Sequence, residues 1–426
     1  MTTQGTTAKL SKQKAPPDSG VIKEVIASEL IQMHYQPLVF IQRRNVMGLE
    51  ALARGIHPVS GELIPPHRLF SWAGLAGLLP ELDRLCRRKA LEGFRDLHHA
   101  EPDMVISINF EPSILDQGTD GHNYLLDTVD RLDIDRRNVL IEIVESRVGN
   151  GAALREFVET YRGFGFMIGL DDMGAGHSNL DRIAYLRPDV MKLDRTLIKD
   201  LPDDFYKQEV VRSMLAMCRK IGSLAVAEGV ENDREALVAM DLGARVLQGF
   251  GLARPHPDPV EVLRACAEPI DRIATSYQQY KIDKVEKSRR RSFTLLNAVG
   301  VIADQLKAKI NEDLDLRLRE VICQHPNLEC LYVLDARGKQ KTRTIFNMGR
   351  WPASRKLFFQ PAIAGEDMSL KDYFLLIKAG LENYVSEPYV SAATGDQCVT
   401  VSTRFKGADG MDYILCADFE DTLGAT

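Results

Sequence analysis

The chain has 426 residues, of which 45% are hydrophobic and 27% are charged. These fractions are typical of a packed globular protein and exclude a disordered, collagen-like or coiled-coil chain. At ~150 residues per domain, the length predicts two or three domains. The formal net charge of -6 argues against a dedicated nucleic-acid binder, so we expect no nucleic-acid partner, although small charged ligands are compatible with it.

Neither the N terminus nor any internal segment predicts insertion into a membrane. No stretch approaches the ~18–20 uncharged apolar residues that a transmembrane helix needs. Residues 1–20 lack the apolar core of a secretory signal and are expected to form a disordered tail. The seven scattered cysteines include no C-x-x-C pair and predict free thiols in a reducing compartment. We therefore expect a cytoplasmic protein without a membrane partner.

Short β-branched runs alternate with amphipathic segments between about residues 28 and 255. The predicted strands are His34–Ile41, Val46–Ala53, Met104–Phe110, Asn138–Val144, Phe166–Asp171, Val190–Asp194, Leu224–Glu228 and Arg245–Phe250. Helix-length segments separate most of the later strands, as parallel pairing requires. This α/β pattern favours a (β/α)₈ TIM-type barrel over an open doubly wound sheet. Only Gln42–Asn45 link the first two strands, so we expect a hairpin and one antiparallel strand.

The alternation stops after residue 258. Apolar residues recur every three or four positions from Phe293 to Leu318 and predict one face of a long helix. From Cys330 onward, strand-like runs and turn residues predict a second, α+β domain. Its predicted strands are Cys330–Leu334, Tyr389–Ala392, Gln397–Phe405 and Tyr413–Phe419, with a turn at Asp335–Gly338. The predicted organisation is a tail (1–20), a barrel (21–258), a connecting helical region (259–325) and the α+β domain (326–426).

Nearly every predicted barrel strand ends in an ionisable or amide side chain. These residues are Glu50, Asn109, Glu142, Asp171, Asp172, Lys192, Asp194, Glu228 and Gln248. Unpaired carboxylates are costly in a low-dielectric interior, so something must compensate them. Because the C-terminal ends of barrel strands meet at one mouth, we expect these side chains to form a single site.

Carboxylate and amide oxygens without His or Cys favour hard divalent ions, Mg²⁺ or Mn²⁺, over zinc. Asp171 and Asp172 could each reach a different ion, or one could bridge two, as in sites that catalyse phosphoryl displacement. Phosphate-ester hydrolysis is the favoured reaction class. Lys192 is expected to orient or activate the attacking water, and Asp194, on the same strand face, to hold its ammonium group.

Two glycines, Gly174 and Gly176, follow Asp172. They predict either an ordinary βα turn or a loop whose backbone approaches a ligand. Glu145, three residues after Glu142, is expected to lie off the strand and to support that loop.

The stretch Glu50-Ala51-Leu52-Ala53-Arg54 resembles the name-giving motif of EAL-domain cyclic di-GMP phosphodiesterases. The resemblance covers more than half of the chain and includes Asn109, Glu142, Asp171-Asp172, Lys192-Leu193-Asp194, Glu228-Gly229-Val230-Glu231 and Gln248-Gly249. It implies a barrel with one antiparallel strand, and hydrolysis of cyclic di-GMP to linear pGpG with two Mg²⁺ or Mn²⁺ ions.

The resemblance also implies a role for each matching residue. The implied metal ligands are Glu50, Asn109, Glu142, Asp171 and Asp172, with Asp171 bridging two ions. The implied catalytic residues are Lys192, Glu228 and Glu50, and the implied substrate-binding residues are Arg54, Leu52, Gln248 and Asp194. Glu145 and Glu231 are implied to support the loop after Asp172 and dimerisation, so we expect a homodimer.

Two positions depart from the family pattern. Met173 stands where the family usually has Phe, and Phe110-Glu111 replaces a small polar residue after Asn109. Both positions neighbour implied ligands, so they bear on loop packing and rate more than on metal binding.

The C-terminal segments Leu331–Gly338 and Tyr384–Asp396 resemble a PAS-like or Cache-like sensor fold. That resemblance implies either a small cytosolic ligand or a dimerisation role, and a purely structural dimerisation domain is the alternative. For the barrel, an active phosphodiesterase predicts intact metal and lysine positions, which the sequence has. The alternatives are a catalytically weak or silent cyclic di-GMP receptor that regulates partners, and a structural barrel, which would not explain Asn, Lys and Gln in the same ring.

Overall fold

A computed structural model of the chain describes residues 19–117, 122–144, 151–175, 180–307, 313–347, 362–391 and 395–421. The predictions made for residues 1–18, Glu145, Gly176 and Ala392 lie outside this set. The chain divides after Lys281 into two compact units, and each unit has its own hydrophobic core.

The first unit contains a closed barrel built from eight of its described strands. Its strands are β1 (Ile31–Phe40), β2 (Asn45–Ile56), β3 (Leu63–Ile64), β4 (Val105–Phe110), β5 (Val139–Val144), β6 (Met167–Met173), β7 (Val190–Leu193), β8 (Leu224–Ala227) and β9 (Val246–Leu247). The order β1-β9-β8-β7-β6-β5-β4-β2 closes through pairing of β1 with β2, and β3 adds to the edge of β2. β1 is antiparallel to both its barrel neighbours, whereas β4 to β8 pair in parallel. The predicted barrel with one antiparallel strand is confirmed.

Helices surround the barrel and join its parallel strands. They are α1 (Ser19–Ala27), α2 (Pro66–Ala76), α3 (Leu79–Ala100), α4 (His122–Arg131), α5 (Gly151–Gly163), α6 (Leu180–Leu186), α7 (Arg195–Ile198), α8 (Phe205–Ile221) and α9 (Asp233–Leu242). Side-chain caps begin several of them, for example Asp204 on α8 and Asn232 on α9. No described helix combines the length and apolarity that crossing a membrane would require.

The barrel interior is apolar below its mouth. The side chains of Leu38, Leu140, Val190, Val226 and Val246 pack together there, as expected for a filled barrel core. Polar residues on these strands therefore stand out near their C-terminal ends, where the barrel opens.

The second unit is an α+β structure around an antiparallel sheet. Its strands are β10 (Leu328–Asp335), β11 (Ile345–Phe346), β12 (Asn383–Val385), β13 (Tyr389–Val390), β14 (Gln397–Lys406) and β15 (Asp412–Glu420), and its helices are the end of α10 (Pro259–Lys307), α11 (Leu314–Gln324) and α12 (Asp372–Lys378). The sheet order is β11-β10-β15-β14-β12, with β13 paired to β14. The predicted turn is present, since the Gly338 amide donates to the Asp335 carbonyl. The resemblance to PAS-like or Cache-like folds stays a prediction.

The helical region differs from the single helix that the apolar periodicity suggests. α10 is described as far as Lys307, residues 308–312 lie outside the described set, and Leu314 and Leu318 belong to α11. Asp313 caps α11 by accepting hydrogen bonds from the amides of Asp315 and Leu316, so a new helix begins where the pattern of apolar residues continues unbroken.

Candidate active site

A buried lysine lies at the centre of the barrel mouth. Lys192 is the third residue of the four-residue strand β7, and its side chain is 1% exposed. Four carboxylates from different strands or strand ends surround its Nζ: Glu228 at 2.6 Å, Glu142 at 2.9 Å, Glu50 at 3.1 Å and Asp171 at 3.9 Å. The sequence-predicted residues therefore meet at one point, as barrel topology requires.

Amide side chains hold Glu50 from both sides. Asn109 Nδ2 donates to Glu50 Oε1 at 3.2 Å, and Gln248 Nε2 donates to Glu50 Oε2 at 2.6 Å. Gln248 Nε2 also lies 3.3 Å from Gln36 Oε1, and Gln36 Nε2 donates to the Ala253 carbonyl at 3.3 Å. This chain of hydrogen bonds ties the Glu50 carboxylate of β2 to β1, to β4 and to Gln248, the residue that follows β9.

The Asp171-Asp172 pair occupies an irregular end of β6. Successive strand residues normally point to opposite faces, but the β6–β7 register shifts between Leu170 and Met173. Asp172 has a left-handed φ of 57°, a conformation that Asp tolerates better than most residues, and its amide donates to Asp171 Oδ1 at 2.8 Å. One oxygen from each of Asp171, Asp172 and Glu228 can be chosen so that the three lie within 4.8 Å of one another.

A close backbone contact shapes the loop that carries Glu228. Gly249 has a positive φ, and a Cβ atom at this position would overlap the Val230 carbonyl. The Val230 amide donates to the Gln248 carbonyl at 3.0 Å. Glycine next to Gln248 therefore allows the segments holding Gln248 and Glu228 to pack together.

Burial and crowding of like charges displace the titration of these groups. Burial raises the pKa of Glu142 to about 8, with the Glu50 and Asp171 charges adding to the rise and Lys192 opposing it. Burial likewise raises the pKa of Asp171 and Glu228.

Glu50 and Lys192 respond differently, because close partners stabilise their charged forms. Burial opposes the charged form of Glu50, but the Lys192 charge and the donors Gln248 and Asn109 outweigh it and lower the Glu50 pKa. Burial also opposes the charged form of Lys192, yet the surrounding carboxylates hold its pKa well above the ordinary value. One ammonium cannot neutralise the whole ring, so the metal-free cluster retains protons at neutral pH.

The donor set fits divalent cations. Glu142 Oε1 and Gln248 Oε1 are buried and have no hydrogen-bond partner among the described residues. Asp171, Asp172 and Glu228 contribute further carboxylate oxygens close together. Oxygen donors with an excess of negative charge are the environment that Mg²⁺ and Mn²⁺ prefer.

Two implied substrate-binding residues line the outer part of the same β2 face. Glu50, Leu52 and Arg54 alternate along the strand, so their side chains share one face. Glu50 is buried, whereas Leu52 and Arg54 are half-buried, so the face becomes more open toward the end of the strand. Arg54 Nη1 donates to the neighbouring Ala53 carbonyl at 2.9 Å.

The expectation that Asp194 holds the Lys192 ammonium is wrong. β7 ends at Leu193, and Asp194 is instead the N-cap of α7, where its Oδ1 accepts from the Thr196 amide at 2.8 Å. The alternation that would place it beside Lys192 applies only within a strand. Glu231 pairs with Arg195 at 2.6 Å.

Gln36 is a site residue that the sequence reasoning missed. It lies on the antiparallel strand β1, opposite Glu50 in the register, and is buried. An amide inside a strand otherwise rich in apolar residues was the available signal, because a buried polar side chain needs partners.

The first unit is thus an α/β barrel whose mouth carries an acidic site rich in oxygen ligands. Residues 21–255 match the EAL domain family, and the chain belongs to that family.

Several relatives share this domain. The cyclic di-GMP phosphodiesterase NbdA of Pseudomonas aeruginosa is 28% identical over 243 residues, which cover 55% of this chain and 30% of NbdA. The cyclic di-GMP phosphodiesterase RocR of the same species is 29% identical over 232 residues, which cover 53% of this chain and 58% of RocR. The chain therefore spans less than two thirds of either relative.

A third relative matches along most of its length. The EAL-domain protein YkuI of Bacillus subtilis is 26% identical over 390 residues, which cover 87% of this chain and 90% of YkuI. The crystal structure of YkuI in complex with substrate c-di-GMP and calcium aligns with a TM-score of 0.78 at 25% identity, covering 95% of this chain and all of that chain. The likeness to YkuI thus extends beyond the EAL domain.

Proposed function

We propose that this protein hydrolyses cyclic di-GMP to linear pGpG with two divalent ions, Mg²⁺ or Mn²⁺. The observation that carries the proposal is the Lys192 ammonium enclosed by Glu50, Glu142, Asp171 and Glu228 at the mouth of an EAL-family barrel. Two relatives of the EAL domain are named cyclic di-GMP phosphodiesterases, which supports the same substrate.

The proposed metal ligands are Glu50, Asn109, Glu142, Asp171 and Asp172. The ions would supply Lewis-acid stabilisation of charge on the phosphate and on the attacking and leaving oxygens. The hydrogen bonds from Asn109 and Gln248 hold Glu50 in a fixed orientation. Such preorganisation reduces the reorganisation needed when the reaction begins.

Lys192 and Glu228 are the proposed groups that handle the attacking water. Their contact of 2.6 Å places a donor beside an acceptor. Lys192 would orient the water by donating a hydrogen bond to it. Glu228 would accept a hydrogen bond from the same water and take up the proton that the water loses as it attacks. The high pKa of Lys192 keeps the side chain positively charged, so it would also offset phosphate charge.

Substrate binding is assigned to the rim of the mouth. Arg54 would pair with a phosphate oxygen, which its planar guanidinium suits, and Leu52 would pack against an apolar face of the nucleotide. Gln248 would donate near the scissile phosphate, and Asp194 keeps the substrate-binding role implied by the resemblance.

The proposal for the whole protein is a cytoplasmic signalling enzyme that acts as a homodimer. Glu231, held by Arg195, and Glu145 would support the loop after Asp172 and the dimer. The second unit would act as a PAS-like sensor for a small ligand or as a dimerisation domain.

Turnover is the direct test. Purified full-length protein is incubated with cyclic di-GMP and Mn²⁺ or Mg²⁺, and pGpG is followed by chromatography. We expect metal-dependent pGpG formation that stops with a chelator. Tight binding without turnover would favour the silent receptor, and absence of both binding and turnover would contradict either assignment.

A further inference from the structure

A buried ion pair lies outside the ring of site residues, on helix α3. Arg87 Nη2 and Asp83 Oδ2 are 2.6 Å apart, and their side chains are 6% and 2% exposed. Such a pair is a costly way to fill a core, because apolar residues of similar volume often stabilise a fold equally well. We therefore ask which neighbouring groups the two buried charges hold in place.

Both charged groups act on the C-terminal end of β4. Asp83 Oδ1 accepts a hydrogen bond from the Glu111 amide at 3.2 Å. The Arg87 guanidinium lies over the Phe110 ring, 5.3 Å from its centroid, within the range of a cation–π contact. Phe110 in turn stacks on Phe157 of α5, with the ring centroids 4.2 Å apart.

These contacts hold the two residues that directly follow Asn109. Pairing of β4 with β5 extends only to Phe110 opposite Ile143, so Glu111 is the first residue beyond the ladder. Asp83 supplies an acceptor to its amide in place of a strand partner. Asn109 lies two residues before the anchored amide, and its Nδ2 reaches Glu50 Oε1.

The anchored residues are also those where the sequence departs from the family pattern. The Glu111 side chain accepts hydrogen bonds from the amide and hydroxyl of Ser113, at 3.3 and 2.8 Å. Glu111 thus shapes the turn after β4 with its side chain while its own amide is fixed by Asp83. The Arg87 guanidinium contacts the Phe110 ring, and the Asp83 carboxylate accepts from the Glu111 amide. The ion pair between Arg87 and Asp83 joins these two contacts.

We propose that Asp83 and Arg87 are positioning residues that set Asn109 for metal binding, through the Glu111 amide and the Phe110 ring. The proposal rests on the proposed function, in which Asn109 is a metal ligand. Residues that orient a metal ligand typically change metal affinity ~10–100-fold when removed.

The test uses a double variant, Asp83→Leu with Arg87→Met, in the full-length protein. It replaces the ion pair by apolar side chains and removes both contacts to β4. The matched control is Arg88→Met with Glu92→Leu, which removes a neighbouring ion pair of the same spacing on the same helix together with the contact of Arg88 to Glu29. Mn²⁺ affinity is measured by calorimetry on metal-free protein, together with the Tm and with kcat and KM for cyclic di-GMP.

We expect the double variant to keep a cooperative melt while its Kd for Mn²⁺ rises ~10-fold or more, with the control near wild type. A purely structural role would lower the Tm and leave the Kd unchanged. An unchanged Kd in the folded double variant would overturn the proposal.

If the double variant does not fold, Asp83→Glu replaces it, because this change keeps the charges and displaces the acceptor by one methylene. A raised Kd supports positioning, and an unchanged Kd overturns it. Failure of the wild-type protein to bind Mn²⁺ would instead refute the proposed function itself, and this inference with it.

Discussion

Lys192 Nζ lies 2.6 Å from Glu228 Oε1, the shortest of its contacts with the four surrounding carboxylates. Glu228 also lies in the close group of carboxylates with Asp171 and Asp172. One side chain therefore connects the central ammonium to the carboxylates of Asp171 and Asp172. Changes at either end of this contact should have separable effects on turnover and on metal binding.

Replacing Lys192 by Met should abolish most turnover. The variant loses the donor proposed to orient water, so we expect kcat to fall at least ~100-fold. Removing one partner of a buried ion pair also destabilises a fold by ~3–5 kcal/mol, so the metal-free Tm should drop and Mn²⁺ should restore part of it. The control is Lys207→Met, which removes an exposed ammonium. Wild-type kcat in Lys192→Met would refute the catalytic role.

Glu228→Gln should reduce the number of bound ions. Besides its proposed role at the attacking water, Glu228 adds negative charge beside the proposed metal ligands Asp171 and Asp172, and Gln keeps the shape of the side chain while removing this charge. We expect calorimetry to show two Mn²⁺ per wild-type chain and one tight Mn²⁺ in the variant, because hard cations need anionic oxygens. Glu209→Gln, at an exposed surface ion pair, should bind as wild type does. Two tight ions in Glu228→Gln would exclude this contribution.

Metal-free protein should lose stability as the pH rises. Burial raises the Glu142 pKa to about 8 in the folded protein, whereas an unfolded glutamate titrates near ~4.3. Between these values the native state binds a proton that the unfolded state lacks, so the free energy of unfolding falls as pH increases. Thermal melts from pH 5.5 to 8.5 in chelator should show this slope.

Saturating Mn²⁺ should remove the slope, because cation binding favours the ionised carboxyl and releases its proton. Glu142→Gln should make the slope without metal shallower, since one titrating group is gone while Asp171 and Glu228, whose pKa values burial also raises, remain. If the slope in chelator were the same in this variant as in wild type, Glu142 would not be its source.

Arg54→Ala should weaken substrate binding while leaving the metal site intact. Arg54 lies outward of Glu50 on β2, and its guanidinium donates to the Ala53 carbonyl rather than to a carboxylate of the ring. Loss of one charge-assisted hydrogen bond of ~1.5–3 kcal/mol corresponds to a ~10–100-fold rise in KM for cyclic di-GMP. Arg44→Ala, at a surface ion pair, is the control. A changed Kd for Mn²⁺ would show that Arg54 acts on the metal site instead.

Most residues of the barrel mouth could be predicted from the sequence, because a barrel brings the C-terminal ends of its parallel strands together. Glu50, Asn109, Glu142 and Lys192 are distant in the chain, yet parallel strands of a barrel carry their C-terminal ends to one side. The predicted contact between Asp194 and Lys192 was wrong because β7 ends at Leu193, one residue before Asp194. The hydrogen bonds that set the length of a strand cannot be read from the alternation of its residues. The start of a separate helix α11 was missed because the spacing of apolar residues continues across the Asp313 cap.

The supporting contacts were harder to predict than the ligands. Gln36 and Asp83 act through register and helix packing, which bring together residues with no common motif. Such partners follow only from the three-dimensional arrangement, since any buried amide or carboxylate needs a partner but the sequence does not say which.

A variant ending at Lys281 should fold and keep the metal site. The chain divides after this residue, and Ile270, Ile273 and Tyr277 of α10 pack in the core of the first unit. A variant ending at Asp258 is the matched control, because it also loses these apolar contacts and should melt at a lower temperature. Absence of Mn²⁺ binding in the Lys281 variant would contradict an independent first unit.

The same variant tests the role proposed for the second unit. If that unit senses a ligand or holds a dimer, removing it should change kcat for cyclic di-GMP or the number of chains per particle measured by light scattering, while pGpG is still formed. These two readouts separate the alternatives, because a sensor can alter the rate without altering the oligomeric state, whereas a dimerisation domain alters the oligomeric state. An unchanged rate together with an unchanged number of chains per particle would leave the second unit without a regulatory or assembly role, and the Lys192 site would then function independently of it.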